Sequence, residues 1–106
     1  MNKFMRMLVM FDLPVTSRED RRAATGFRNF LIKDGYSMMQ FSVYVRVCNG
    51  TDAVNKHRAR LDANVPDNGS VRCLVVTEKQ FESMALLIGK LTVADQSAVN
   101  TQITFF

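Results

Sequence analysis

The spacing of apolar residues changes several times along the chain, and each change marks an element. Phe4 to Phe11 (FMRMLVMF) is almost continuously apolar, as a strand covered on both faces would be, and Asp12-Leu13-Pro14 stops it. Thr16 and Ser17 then offer N-caps, with Glu19 and Asp20 at the matching capping-box positions. Ala23, Ala24, Phe27, Phe30 and Leu31 recur at helical spacing until Gly35 closes the element. Gly26 costs this helix about 1 kcal/mol relative to Ala. From Tyr36 to Cys48 the period drops to two. Val43, Val45 and Val47 alternate with Ser42, Tyr44 and Arg46, which predicts two short strands with a break near Gln40-Phe41. Asn49 to Asp52 can cap a second helix, in which Val54, His57, Arg58, Leu61 and Val65 share a side. Pro66-Asp67-Asn68-Gly69 ends it as a turn, and Val71 to Thr77 reads as a fourth strand.

The predicted order, strand, helix, strand, strand, helix, strand, is the split βαβ arrangement of an α+β ferredoxin-like sandwich. Two helices cover one face of an antiparallel sheet and leave the other open. This core is expected over residues 1–80. Beyond it come an apolar run from Met84 to Ile88, a polar stretch from Thr92 to Gln102 and an apolar tail, Ile103-Thr104-Phe105-Phe106. A small domain has little interior left for them. Residues 81–106 are therefore expected to contribute to a homodimer, where a second subunit buries them.

With 106 residues, the chain has room for one domain, and its 47% hydrophobic and 23% charged composition indicates neither disorder nor a disulfide scaffold. The net charge of +4 is unevenly placed. Residues 18 to 60 hold nine basic side chains (Arg18, Arg21, Arg22, Arg28, Lys33, Arg46, Lys56, Arg58, Arg60) against four acids (Glu19, Asp20, Asp34, Asp52). Such a segment suits a phosphate backbone, although a solvated helix face explains any single cluster equally well. Cys48 and Cys73 sit in strand-like runs without metal-ligand spacing and read as buried thiols, which fits a reducing cytoplasm. No stretch approaches the ~20 apolar residues of a membrane span, so a membrane partner is not expected.

Asp12 is the first candidate for chemistry. A carboxylate at the exit of an apolar strand is held on a rigid element near the surface, as a Mg²⁺ ligand must be, but a turn-forming Asp looks the same. One carboxylate makes a poor metal site, whereas two Asp12 side chains in a symmetric dimer could share one hard cation. His57, the only histidine, has no cysteine or second histidine at ligand spacing and is read as part of the basic face. Tyr44 and Arg46 could touch nucleic acid or a second subunit. No glycine-rich phosphate loop, Ser/His/Asp set or RNA-recognition signature occurs.

Three segments together resemble the CRISPR-associated Cas-two family: Met5-Arg6-Met7-Leu8-Val9-Met10-Phe11-Asp12-Leu13-Pro14, the helix bearing Arg21, Arg22, Phe27, Arg28 and Phe30, and Gln40-Phe41-Ser42-Val43-Tyr44-Val45. The likeness covers about residues 3 to 82 and is closest to members from type II, Cas-nine-bearing systems. It implies a ferredoxin-like homodimer that exchanges a C-terminal strand. It also implies a cytoplasmic bacterial protein of spacer acquisition, a scaffold on double-stranded prespacer DNA that bridges Cas-one integrase dimers. Magnesium-dependent cleavage of RNA or DNA is implied as a secondary activity, and a stand-alone, toxin-like endoribonuclease is the alternative. By matching position Asp12 takes the catalytic and Mg²⁺-binding role, with the ion shared across the dimer, and Phe11 and Tyr44 are its neighbours. The DNA contacts expected from charge are Arg18, Arg21, Arg22, Arg28, Lys56, Arg58 and Arg60. The chain departs from some members at Met38, where they carry arginine.

Overall fold

A computed structural model describes residues 3–90 of the chain. Its elements are β1 (Phe4–Asp12), α1 (Arg18–Lys33), β2 (Ser37–Gln40), β3 (Val43–Asn49), α2 (Thr51–Asp62), β4 (Ser70–Thr77) and α3 (Glu78–Glu82). The strands form one antiparallel sheet in the order β2-β3-β1-β4, so the most apolar strand lies inside it, between two neighbours. This is the expected ferredoxin-like α+β sheet. Of residues 81–106, expected to supply the strand exchanged between subunits, 81–90 are described and hold the end of α3 and no strand, and the rest lie outside the described residues.

β1 is covered on both sides, as its unbroken apolar run requires. Met7, Val9 and Phe11 turn toward the helices and join Phe27, Leu31, Tyr36, Tyr44, Cys48 and Leu61 in the main core. Leu8 turns the other way, into a smaller cluster with Val45 and Phe81. Each such side chain contributes roughly 1.5–3 kcal/mol of burial, which makes β1 the organising element.

The helix ends follow local chemistry. Ser17 caps α1, its hydroxyl accepting from the Asp20 N–H at 3.0 Å, and Gly35 takes φ 92° just past the helix, where an L side chain would be strained. At α2 the cap falls within the expected Asn49 to Asp52 stretch. Gly50 holds the cap position without a side-chain bond, and its N–H donates to the Lys3 carbonyl at 3.0 Å, so the start of β1 anchors the helix. Val65 falls beyond the helix and is partly exposed.

The open face of the sheet carries an unexpected element. α3 is a single turn held by a capping box: the Thr77 hydroxyl accepts from the Gln80 N–H at 3.1 Å, and the Gln80 side-chain oxygen accepts from the Thr77 N–H at 2.9 Å. It lays Phe81 on Leu8 and Val45 and brings Glu78 to Arg6. The rest of that face stays uncovered, with Leu74 half-exposed, and Leu87 and Ile88 are almost fully exposed. Among the described residues no helix is long and apolar enough to cross a membrane.

Candidate functional site

Asp12 is the last residue of β1. Its neighbour Phe11 is drawn into the core, edge-on to Phe27 with ring centroids 5.1 Å apart and stacked on Tyr44 at 5.7 Å. Strand alternation therefore sends Asp12 to the opposite side, where it is exposed. Its other flank is held by β4, with Ser70 opposite in register. Gly69, at φ 99°, packs so closely that a Cβ there would lie 2.7 Å from the Asp12 carbonyl oxygen.

Arg28 reaches this end of the sheet from the middle of α1. It donates from Nη2 to the Ser42 hydroxyl at 2.9 Å and from Nη1 to the Tyr44 hydroxyl at 3.4 Å. Its guanidinium carbon lies 4.0 Å from the centre of the Phe41 ring and 4.9 Å from that of Phe11, both within cation–π range. Ser42, at φ 71°, turns the chain between β2 and β3, and its carbonyl accepts from the Phe11 N–H at 3.1 Å. The two sequence motifs and the arginine-bearing helix thus meet at one place. Phe11, Arg28 and Tyr44 are brought together, with Tyr44 a buried member of the core, while Asp12 ends the same strand on the opposite face.

The other cations predicted to meet DNA are spread over the helical layer. Arg18 and Arg22 on α1 and Lys56 on α2 are exposed. Arg21 donates to the Val15 and Thr16 carbonyls at 3.1 and 3.3 Å, tying down the loop before the helix. Arg58 makes only a loose contact with Asp62, 3.5 Å away on an exposed surface, worth little in water. Arg60 donates to the Asp34 carboxylate at 2.9 Å, so its charge is partly balanced within the fold.

The structure corrects the reading of His57 as part of the basic face. It is buried, with Nδ1 2.9 Å from the Asp34 carboxylate. Arg46 points to the same place, to the Asp34 backbone carbonyl and to within 3.1 Å of His57 Nδ1. Helical spacing put His57 beside Leu61 correctly, but its charged neighbours in sequence hid the carboxylate supplied by the end of α1. Arg46 accordingly faces the helices, away from the open face of the sheet. Sequence reasoning also missed Arg6, which is buried against Glu78, and the exposed ring of Phe41.

Among the described residues no group of three or more His, Cys, Asp or Glu side chains is placed to hold a metal. Asp12 alone offers one hard oxygen donor. Mg²⁺ binds through one or two carboxylates while keeping several waters, so Asp12 fits such an ion as a partial site that a second copy or the substrate would complete.

Fold and site together define a class: a small ferredoxin-like α+β domain with a single exposed carboxylate at the end of its central strand, backed by an arginine–aromatic cluster. The family model described as CRISPR associated protein Cas2 matches residues 5–84, and the chain belongs to that family. It is 60% identical over 102 residues to the CRISPR-associated endoribonuclease Cas2 of Acidovorax ebreus (strain TPSY), covering 96% of this chain and all of the relative. The protein of the same name from Campylobacter jejuni is 43% identical over 105 residues, covering 99% of this chain and 73% of the relative. That of Streptococcus mutans is 44% identical over 86 residues, covering 81% and 79%.

Proposed function

We propose that this chain serves CRISPR adaptation as a homodimeric scaffold that grips double-stranded prespacer DNA by its backbone and bridges Cas-one integrase dimers. The observation that carries this reading is the cationic outer surface of the helical layer. Arg18, Arg22 and Lys56 are exposed and make no ion pair among the described residues, so their charge is available to phosphates. Cations arranged in this way bind the backbone without reading bases and release counterions as they do so. The test is to titrate unrelated duplexes against the protein at several salt concentrations, alone and with purified integrase. Affinity that falls steeply with salt, stays nearly the same between sequences and tightens with integrase supports the scaffold. Discrimination of more than about a hundredfold between duplexes, roughly 3 kcal/mol, contradicts it.

A second reading is favoured by the exposure of Asp12 and by the relatives' names, which describe endoribonucleases. In it the Asp12 carboxylates of two copies hold one Mg²⁺ between them. A bound ion there would polarise a phosphodiester oxygen and lower the pKa of a ligand water. The chain's own part is to fix the carboxylate: Phe11 pins the strand end in the core, and Gly69 backs the Asp12 carbonyl.

A further inference from the structure

Phe41 is 80% exposed on a turn whose neighbours are fixed, an unusual position for a phenyl ring. Leu87 and Ile88 are exposed too, but in a segment without helix or strand. Phe41 instead lies next to Ser42, which is bonded to both Phe11 and Arg28. The guanidinium of Arg28 covers the ring at 4.0 Å. Arg28 is itself held by Ser42 and Tyr44, so its position does not depend on Phe41. It also makes no ion pair among the described residues. The result is a ring with a cation fixed over it, much of whose surface is open to solvent.

The turn's place gives this arrangement a purpose. β1 and β3 run antiparallel with Met10 opposite Val43, and the bond from Phe11 to Ser42 continues that ladder by one residue. There Ser42, at φ 71°, turns the chain away toward β2, which leaves Phe41 on the turn at the end of the sheet where β1 finishes. An unpaired guanidinium and an open aromatic surface therefore lie at the end of the sheet where β1 finishes, with the Asp12 carboxylate at that same end on the opposite face. A nucleic acid presents the complementary groups: a phosphodiester for the guanidinium, and an unstacked base whose π-face matches an aromatic side chain.

We infer that Phe41, backed by Arg28, is a stacking platform for an unpaired nucleobase of the nucleic acid held at the Asp12 end of the sheet. This rests on the reading of the protein as a nucleic-acid binder and adds to it a preference for ends or gaps with a free base over continuous duplex. The phosphate-binding surface of the helical layer would hold the paired part, and the platform would mark where pairing stops.

The experiment compares two probes, a blunt duplex and the same duplex with a short single-stranded overhang carrying 2-aminopurine, whose fluorescence is quenched by stacking. Wild-type protein should bind the overhang probe more tightly and quench it. Phe41→Ala should abolish the quench and weaken the overhang probe about tenfold, the low end of what one stacked base contributes. Phe41→Trp should restore both. Quenching that survives Phe41→Ala overturns the inference, while intact salt-dependent binding of the blunt duplex leaves the scaffold reading standing. Loss of both probes together with dissociation of the dimer in light scattering would make the ring a contact between copies and also overturn it. Failure of the wild-type protein to bind either probe would remove both the inference and the reading beneath it.

Discussion

Arg6 and Glu78 meet through two hydrogen bonds, Nε to Oε2 at 2.8 Å and Nη2 to Oε1 at 2.9 Å, with both side chains nearly inaccessible to water. The Phe81 ring lies 4.2 Å from the guanidinium carbon. The pair fastens α3 to the face of the sheet opposite the helices. A two-bond arginine–carboxylate contact of this kind is strong only while both members remain, because each alone is a desolvated charge.

Arg6→Ala or Glu78→Ala should therefore destabilise the fold by about 3–5 kcal/mol. The double replacement Arg6→Met with Glu78→Leu should recover most of that loss, since it removes both charges and keeps the volume. Urea unfolding of the three variants decides it. A double variant no better than the worse single one would show that the pair contributes more than mutual neutralisation.

Asp12→Asn keeps size and hydrogen bonding while removing the charge that Mg²⁺ requires. Metal-dependent cleavage should vanish, while duplex binding and integrase-dependent spacer integration persist. Both activities are to be measured on one preparation after light scattering confirms the same mass as wild type. Loss of integration in a folded, DNA-binding variant would overturn the scaffold reading.

Charge reversal at Arg22 should weaken all duplexes alike and reduce the salt dependence of binding by about one unit of slope, more if the added carboxylate repels a neighbouring phosphate. Arg22 is the cleaner choice than Arg21, whose bonds to Val15 and Thr16 also hold the loop before α1. A slope unchanged by Arg22→Glu would place the DNA elsewhere on the surface.

Stability should fall at alkaline pH. Burial pushes the Cys48 and Cys73 thiols up, against a smaller opposing pull from Arg46 and Arg58 respectively, and burial also pushes the Tyr36 phenol up strongly. Raised folded-state values mean the native protein holds these protons more tightly than the unfolded chain, where thiols ionise near ~8.5 and phenols near ~10. The stabilisation is complete below about pH 8.5 and is lost as pH climbs through the folded-state values. Tyr36→Phe should flatten the phenol part of that decline. It should also raise stability at pH 7 by about 1 kcal/mol, since the buried Tyr36 hydroxyl has no hydrogen-bond partner among the described residues. Urea midpoints at pH 7.5, 9 and 10.5 test both.

Replacing the Asp34 carboxylate by an amide removes the charge that faces Arg60 and leaves one oxygen where two meet Arg60 and His57. Asp34→Asn should cost about 2 kcal/mol, the scale of hydrogen bonds to a charged group. The same urea experiment reads it, and a cost near zero would show that His57 and Arg60 are satisfied without the carboxylate.

What the sequence revealed follows from the range over which each signal acts. β1, both long helices and the alternation of β3 are written in neighbouring residues, and Ser17 and Gly35 mark their ends by local bonds alone. Asp12 stood out because it ends an apolar run. Arg6 did not, since a lone arginine near the chain start looks like surface charge until the fold brings up Glu78, 72 positions away. His57 misled for the same reason, its partner Asp34 lying 23 positions back. α3 is legible only in part: Thr77 and Gln80 have capping-box spacing, but a five-residue turn with a single buried aromatic, Phe81, is too short for a helical period to show.

The tight approach of Gly69 to Asp12 also limits how this protein can vary over time. With only a hydrogen at position 69, the backbone passes the Asp12 carbonyl where any methyl group would have to displace it. Residues earlier in the turn that ends at Gly69, such as Asp67 and Asn68, are exposed and can drift, lengthen or shorten with little effect on the strand. Position 69 cannot, and a lineage that altered it would have to change the exit of the first strand in the same step, so loop length is free to diverge here while loop ending is not.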